Sequence, residues 1–242
     1  IQQGNIVGAE ALLRWKHPEK GFVPPVTFIP LAEENGLIHE IGDWVLKTAC
    51  LKVKSWQKAG LPPIRISVNV SSHQIYRPDF LDKVRRITQQ TGLPLENLEL
   101  ELTESTLLHE VSIANIVLRR LRAVGIKIAI DDFGTGYSSL SYLKQFPFDT
   151  LKIDRQFVQN IGQDPESSAI TLATIQMAHN LNLKVIAEGV ETESELEFLR
   201  KHACEEIQGY YYSRPLPEGE FEKLLASNKR LEDVSYPFQE VL

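Results

Sequence analysis

The sequence is poor in cysteine, has no long apolar run and carries no excess of positive charge, and each shortage excludes a class of protein. Cys50 and Cys204 are its only cysteines, and no Cys-x-x-Cys spacing occurs. Both fall in helix-like segments, so two buried thiols are expected rather than a disulfide or a zinc site, which suits a reducing, cytoplasmic setting. No stretch approaches the roughly 18 to 20 uninterrupted apolar residues of a membrane span, and the amino terminus has no basic segment leading into an apolar run. The formal net charge of -6 argues against a basic surface that tracks a nucleic-acid polymer. A small phosphate ligand stays open, because bound metal ions invert the field of an acidic pocket. The six histidines show no His-Glu-x-x-His or paired spacing, with His109 at a helix start, and no internal repeat or low-complexity tract is present.

What is there is an ordinary globular composition, 242 residues with 43% hydrophobic and 24% charged, enough for one sizeable core and one domain. Short β-branched runs alternate with longer helical patterns. Seven strands are predicted over Ile6–Leu13, Arg65–Val70, Leu98–Thr103, Lys127–Asp131, Thr150–Asp154, Lys184–Ala187 and Glu206–Gln208. Helices are predicted over Asp43–Ala59, Asp79–Thr91, Ser112–Val124, Ser168–Leu181, Thr192–Lys201 and Glu218–Ala226, with stops at Gly60, Gly92 and Gly125. Such alternation implies parallel strands with helical crossovers, either as an open sheet or as a closed barrel. Polar groups at nearly every strand's carboxyl end favour the (β/α) barrel, which gathers those ends on one face. A barrel of eight strands would need one more, expected before Ile1. The polar tail from Ser227 to Leu242 is expected to pack weakly at the periphery.

In order, the strand ends carry Glu10 with Arg14, Asn69, Glu101 and Glu104, Asp131 and Asp132, Lys152 with Asp154, Glu188 with Glu191, and Gln208. Glu10, Glu101, Asp131, Asp132 and Glu188 would sum to -5 if ionised together, and two divalent cations with Lys152 would sum to +5. Without such partners, burial and mutual repulsion would force several of these groups to take up protons. An all-oxygen ligand set suits magnesium or manganese, and two such ions can stabilise the attacking and leaving oxygens of a displacement at phosphorus. Phosphoester hydrolysis is preferred on these grounds. A single-metal enolate chemistry with Lys152 as base stays open.

The motifs resemble a known family. Glu10-Ala11-Leu12 is the tripeptide that names the EAL cyclic di-GMP phosphodiesterases, extended here through Leu13-Arg14-Trp15. The likeness continues through Val68-Asn69-Val70-Ser71, Glu101-Leu102-Thr103-Glu104-Ser105, Asp131-Asp132-Phe133-Gly134-Thr135-Gly136-Tyr137-Ser138-Ser139-Leu140, Lys152-Ile153-Asp154-Arg155, Glu188-Gly189-Val190-Glu191 and Gln208-Gly209-Tyr210, spanning about Gly4 to Ala226. It implies a modified TIM-like (β/α)8 barrel whose antiparallel first strand would precede Ile1. Residues 1–226 would form the phosphodiesterase domain of a longer protein, with 227–242 as its tail.

The resemblance also implies roles. One Mg2+ or Mn2+ would be held by Glu10, Asn69, Glu101 and Asp131, and a second by Asp131, Asp132 and Glu188. Lys152 would orient or help deprotonate water, and Glu188 is the other candidate base, so the base stays unassigned. Arg14 would pair with a phosphate, Leu12 and Gln208 would touch substrate, and Asp154 and Glu191 would support Lys152 and the ligands. Glu104 would hold the Phe133–Ser139 loop, which couples the metal site to a homodimer interface. The expected reaction opens cyclic di-GMP to the linear pGpG, with regulatory domains upstream and membrane anchoring, if any, outside this segment. The alternative is a silent cyclic di-GMP receptor or interaction module. Packing is expected for Trp15, Trp44, Trp56 and Tyr210–Tyr212, and a solvated helix face for Arg119, Arg120 and Arg122.

Overall fold

The computed structural model describes residues 1–108, 110–134 and 140–233. Its strands are β1 (Gly8–Ala11), β2 (Trp15–His17), β3 (Gly21–Val23), β4 (Arg65–Asn69), β5 (Leu98–Thr103), β6 (Lys127–Phe133), β7 (Thr150–Ile153), β8 (Lys184–Glu188) and β9 (Glu206–Gln208). Its helices are α1 (Pro25–Glu34), α2 (Ile38–Lys58), α3 (Ser72–Ile75), α4 (Phe80–Thr91), α5 (Glu104–Leu108), α6 (Val111–Ala123), α7 (Leu140–Gln145), α8 (Arg155–Val158), α9 (Pro165–Asn180), α10 (Glu193–Lys201) and α11 (Glu218–Ala226). Two compact units result: Gly8–Ile128 with Gln145–Pro147, and Ile1–Val7 with Ala129–Lys144 and Phe148–Leu242.

In the first unit β1, β4 and β5 are parallel, with Glu10 opposite Ser67 and Asn69 opposite Glu101. The run Leu98-Glu99-Leu100-Glu101-Leu102 alternates in the period of a strand, yet all five side chains are buried. Its leucines form one apolar face, while its glutamates form a polar face that must find partners because a buried charge is costly alone. Glu99 finds two, accepting from Ser67 Oγ at 3.0 Å and pairing with Arg65 Nε at 2.8 Å. Val53, Val84, Leu118 and Leu121, from α2, α4 and α6, add to the core. Helix α4 stops where the sequence says it should: Gly92 takes φ +70°, a left-handed conformation that lacks a steric cost only for glycine.

The second unit repeats the scheme with β7 parallel to β6 and β8, and β8 parallel to β9. Val185 and Ala187 on β8 are buried, as are Ile175 and Ala178 on α9 and Leu196 and Leu199 on α10. A capping box opens α10, Thr192 and Glu195 each satisfying a backbone N–H of the other. Residues 227–233 dock in this unit, with the Leu231 N–H donating to the Gly4 carbonyl at 2.8 Å. Among the described residues no helix is long and apolar enough to cross a membrane.

The seven expected parallel strands and six longer helices are present within a few residues of their predicted bounds. The β2–β3 hairpin and α1 were not expected. The hairpin's turn is held by His17 Nδ1, which accepts from the Glu19 and Lys20 N–H groups at 3.1 and 3.2 Å. Packing was expected for all three tryptophans and for Tyr210–Tyr212; Trp56 is buried, but Trp44 is 60% exposed, and Trp15 and Tyr210 are exposed as well. Residues 135–139, the tail from 234 and His109 lie outside the described residues.

Gly209 shows how closely β9 leaves its strand end against β8. A Cβ there would overlap the backbone N and O of Val190, whereas a Cβ on Gly219 in α11 would meet nothing within 4 Å. Gly209→Ala should therefore destabilise by about 2 kcal/mol or more. Gly219→Ala should leave stability equal or raise it by up to about 1 kcal/mol. Thermal unfolding of the two variants side by side checks the pair, and equal midpoints would refute the close approach.

Candidate metal and phosphoester site

Parallel pairing puts the carboxyl ends of neighbouring strands on one edge, and that edge collects the polar residues in each unit. In the first, Asn69 Nδ2 at the end of β4 donates to Glu10 Oε1 on β1 at 2.7 Å. Glu101 is the register partner of Asn69 and is buried. Leu12 and Arg14 follow β1 and are exposed, with Arg14 Nη1 donating to the Leu13 carbonyl. Glu104 is buried at the start of α5.

The second unit brings together Asp131, Asp132, Lys152 and Glu188. Lys152 is 1% exposed. Its Nζ lies 2.6 Å from Glu188 Oε1 and 3.1 Å from Asp131 Oδ1. A buried ammonium is tolerated when its lost hydration is replaced by opposite charge at hydrogen-bond distance, as the two carboxylates do here. Asp131, Asp132 and Glu188 each offer one oxygen, and the three lie within 4.8 Å of one another.

Consecutive residues of a regular strand face opposite sides, so Asp131 and Asp132 should diverge. They do not, because β6 carries an extra residue between Ile130 and Phe133 relative to β7. Asp132 sits there at φ +52°. Such a bulge re-aims a side chain, and Asp tolerates the left-handed region better than most residues. The Asp132 N–H donates to Asp131 Oδ1 at 3.0 Å.

Burial pushes the Asp132 carboxyl up to about 6, reinforced by the negative charges of Asp131 and Asp154 and partly offset by Lys152. Three crowded carboxylate oxygens with one resisting ionisation fit a hard divalent cation, whose charge would relieve both.

The supporting residues take definite places. Asp154 caps α8 by accepting from the Gln156 N–H at 2.8 Å. Glu191 pairs with Arg155 Nη2 at 3.1 Å. Gln208 is the register partner of Glu188 and is exposed, and its carbonyl accepts from the Val190 N–H. Sequence reasoning missed Glu99 and Arg65; the signal was the alternation of glutamate and leucine on a strand flanked by helices.

Comparison with known proteins agrees with the motifs. The family model described as EAL domain matches residues 1–215. The chain is 45% identical over 225 residues to the cyclic di-GMP phosphodiesterase NbdA of Pseudomonas aeruginosa, covering 93% of this chain and 29% of NbdA. It is 45% identical over 224 residues to the bifunctional diguanylate cyclase/cyclic di-GMP phosphodiesterase MucR of the same organism, covering 93% of this chain and 32% of MucR. The structure titled as the PaMucR phosphodiesterase in complex with c-di-GMP superimposes with a TM-score of 0.84 at 44% identity, covering 89% of this chain and 87% of that one. The α/β fold expected from the sequence is thus that of solved EAL phosphodiesterase structures. The chain spans about 30% of the length of the two curated relatives.

The raised Asp132 carboxyl has a measurable consequence. Its proton is favoured by the folded state, at about 6 against 3.8 for the ordinary group. The group is therefore neutral below about pH 4 in both states, and its cost grows as pH rises to 6. In chelator, Asp132→Asn should stabilise the protein above pH 6 by about 1 to 2 kcal/mol, after allowance for solvent screening, and have no effect near pH 4. Asn also tolerates the positive φ, so no backbone strain is added. Chemical denaturation at pH 4 and pH 8 checks this, and a pH-independent difference would refute it.

Proposed function

Because the chain belongs to the EAL domain family, we propose that it hydrolyses cyclic di-GMP to the linear dinucleotide pGpG, using two Mg2+ or Mn2+ ions. The observation that supports this reading most directly is the buried Lys152 ammonium between Asp131 and Glu188, with the Asp132 carboxyl in the same cluster. NbdA carries the name of a cyclic di-GMP phosphodiesterase, and the PaMucR structure is described as a c-di-GMP complex.

Asp131, Asp132 and Glu188 would hold one cation, and by the family pattern Glu10, Asn69, Glu101 and Asp131 would hold the other. Bound there, the ions would supply Lewis acidity to the phosphoryl group and acidify water. Water attacks phosphorus, one ester P–O bond breaks, and the leaving ribose oxygen takes a proton. Lys152 fixes both carboxylates through its N–H groups and orients or helps deprotonate the attacking water. Glu188, held 2.6 Å from that ammonium, is the other candidate to take the proton. Arg14 offers a planar fork to a phosphate, a task a lysine performs less well. Leu12 and Gln208 contact the substrate. In this reading residues 1–226 form the domain, it acts as a homodimer in the cytoplasm, and regulatory domains lie upstream in a longer protein.

Incubation with cyclic di-GMP and Mg2+ or Mn2+, followed by chromatography, should show pGpG. Lys152→Ala and Glu10→Ala should each lower kcat by about 100-fold or more. Tight binding without turnover in either metal would replace this reading with that of a receptor. Absence of binding would overturn both.

A further inference from the structure

Helix α8 is only four residues long, yet it touches the chain just beyond β6 and just beyond β8, the two strands whose carboxylates surround Lys152. It begins three residues after Lys152, and Asp154 caps it by accepting from the Gln156 N–H at 2.8 Å, which ties its direction to the end of β7.

On one side Arg155 reaches the exit of β8. Its Nη2 lies 3.1 Å from Glu191 Oε1. The Gln159 amide, turned with its oxygen toward the guanidinium, accepts from Nη2 and Nε at 2.8 and 2.9 Å. The aliphatic stem lies against Gly189, the residue after Glu188. A Cβ on Gly189 would fall 2.7 Å from Arg155 Cβ and overlap Cγ, and φ there is +69°. Both the conformation and the space at this position call for glycine.

On the other side Phe157 reaches the exit of β6. A Cβ on Gly134, two residues after Asp132, would lie 2.8 Å from Phe157 Cε2, and Gly134 has φ +99°. The Phe157 carbonyl accepts from Thr171 Oγ1 on α9 at 2.8 Å, which ties the Phe157 backbone to that helix.

We propose that α8 is a positioning element for the carboxylate cluster. Arg155 sets where β8 delivers Glu188, and Phe157 sets where β6 delivers Asp131 and Asp132. Glu191 acts through Arg155. The strand ends need such control because two carboxylates must converge on one ammonium, and groups that orient metal ligands commonly change metal affinity or activity 10 to 100-fold.

This proposal rests on the metal-site reading above, but it is tested through metal affinity as well as turnover. Mn2+ titration should show Arg155→Ala binding about tenfold more weakly than the wild type. Its thermal midpoint in chelator should change little, since the Arg155 side chain is 52% exposed. Arg155→Lys keeps the stem on Gly189 and one contact to Glu191, and should restore affinity to within about threefold. Mn2+ affinity of Arg155→Ala within twofold of the wild type would overturn the proposal, as would a loss that Arg155→Lys does not rescue. A wild type that binds Mn2+ without opening cyclic di-GMP, while Arg155→Ala still weakens Mn2+ binding, would sink the phosphodiesterase reading and support this one. Absence of Mn2+ binding by the wild type would overturn both.

Discussion

Lys152 is a full positive charge withdrawn from water in the middle of a parallel sheet, and the arrangement of β6, β7 and β8 reflects its need for compensation. Moving an ammonium out of water costs several kcal/mol even after relaxation, and only close opposite charge with good geometry offsets it. Glu188 and Asp131 supply that charge from the strands on either side of β7. The two contacts also fix the carboxylates, so one side chain compensates itself and organises its neighbours. The opposite dependence holds too. Without Lys152, burial and like-charge repulsion would act against ionisation unopposed; both already raise the Asp132 carboxyl, burial first and then the charges of Asp131 and Asp154.

The bulge in β6 is what turns a pair of adjacent aspartates into a ligand set. Asp131 and Asp132 were legible as a pair, and so were the strand that carries them and the apolar run before it. How both could serve one site was not legible. Strand periodicity sends consecutive side chains apart, and no residue in the motif announces an inserted position or a φ of +52° at Asp132. The signal lies in pairing with β7, where Ile130 matches Leu151 but Phe133 matches Ile153. That information belongs to two strands together.

Elsewhere in the chain, local signals were legible and long-range ones were not. The parallel strands were visible because β-branched runs end in carboxylates or amides, and the helices because Gly60, Gly92 and Gly125 stand at their ends, all with positive φ. The β2–β3 hairpin was invisible because its strands have only three residues each, and the His17 ring that holds its turn, closed by Gly21 at φ +69°, is no turn signal in a sequence. Helix α1 was hidden behind Pro24 and Pro25, because a Pro-Pro pair is ordinarily a turn signal, although Pro at the first helical position is compatible with a helix. Glu99 was overlooked because its partner Arg65 lies thirty-four positions earlier in the chain, and only the register of β4 with β5 brings them together.

Cleaving a cyclic dinucleotide and merely binding it place different costs on the fold. A receptor for two phosphates is served by exposed cations and by donors aimed at oxygen. It has no use for a lysine withdrawn from water, nor for three carboxylate oxygens gathered within 4.8 Å. Each of these features works against folding unless something offsets it, since like charges at close range repel and buried ions lose hydration. A fold that maintains them around a bulged strand gains little affinity for an anion, because the carboxylates repel it. The same features are what a hydrolytic centre needs: negative ligands for cations, a fixed positive group beside them, and carboxylates held in orientation before the substrate arrives. The carboxylates gathered around the buried Lys152 therefore favour the proposed hydrolytic reading over that of a receptor.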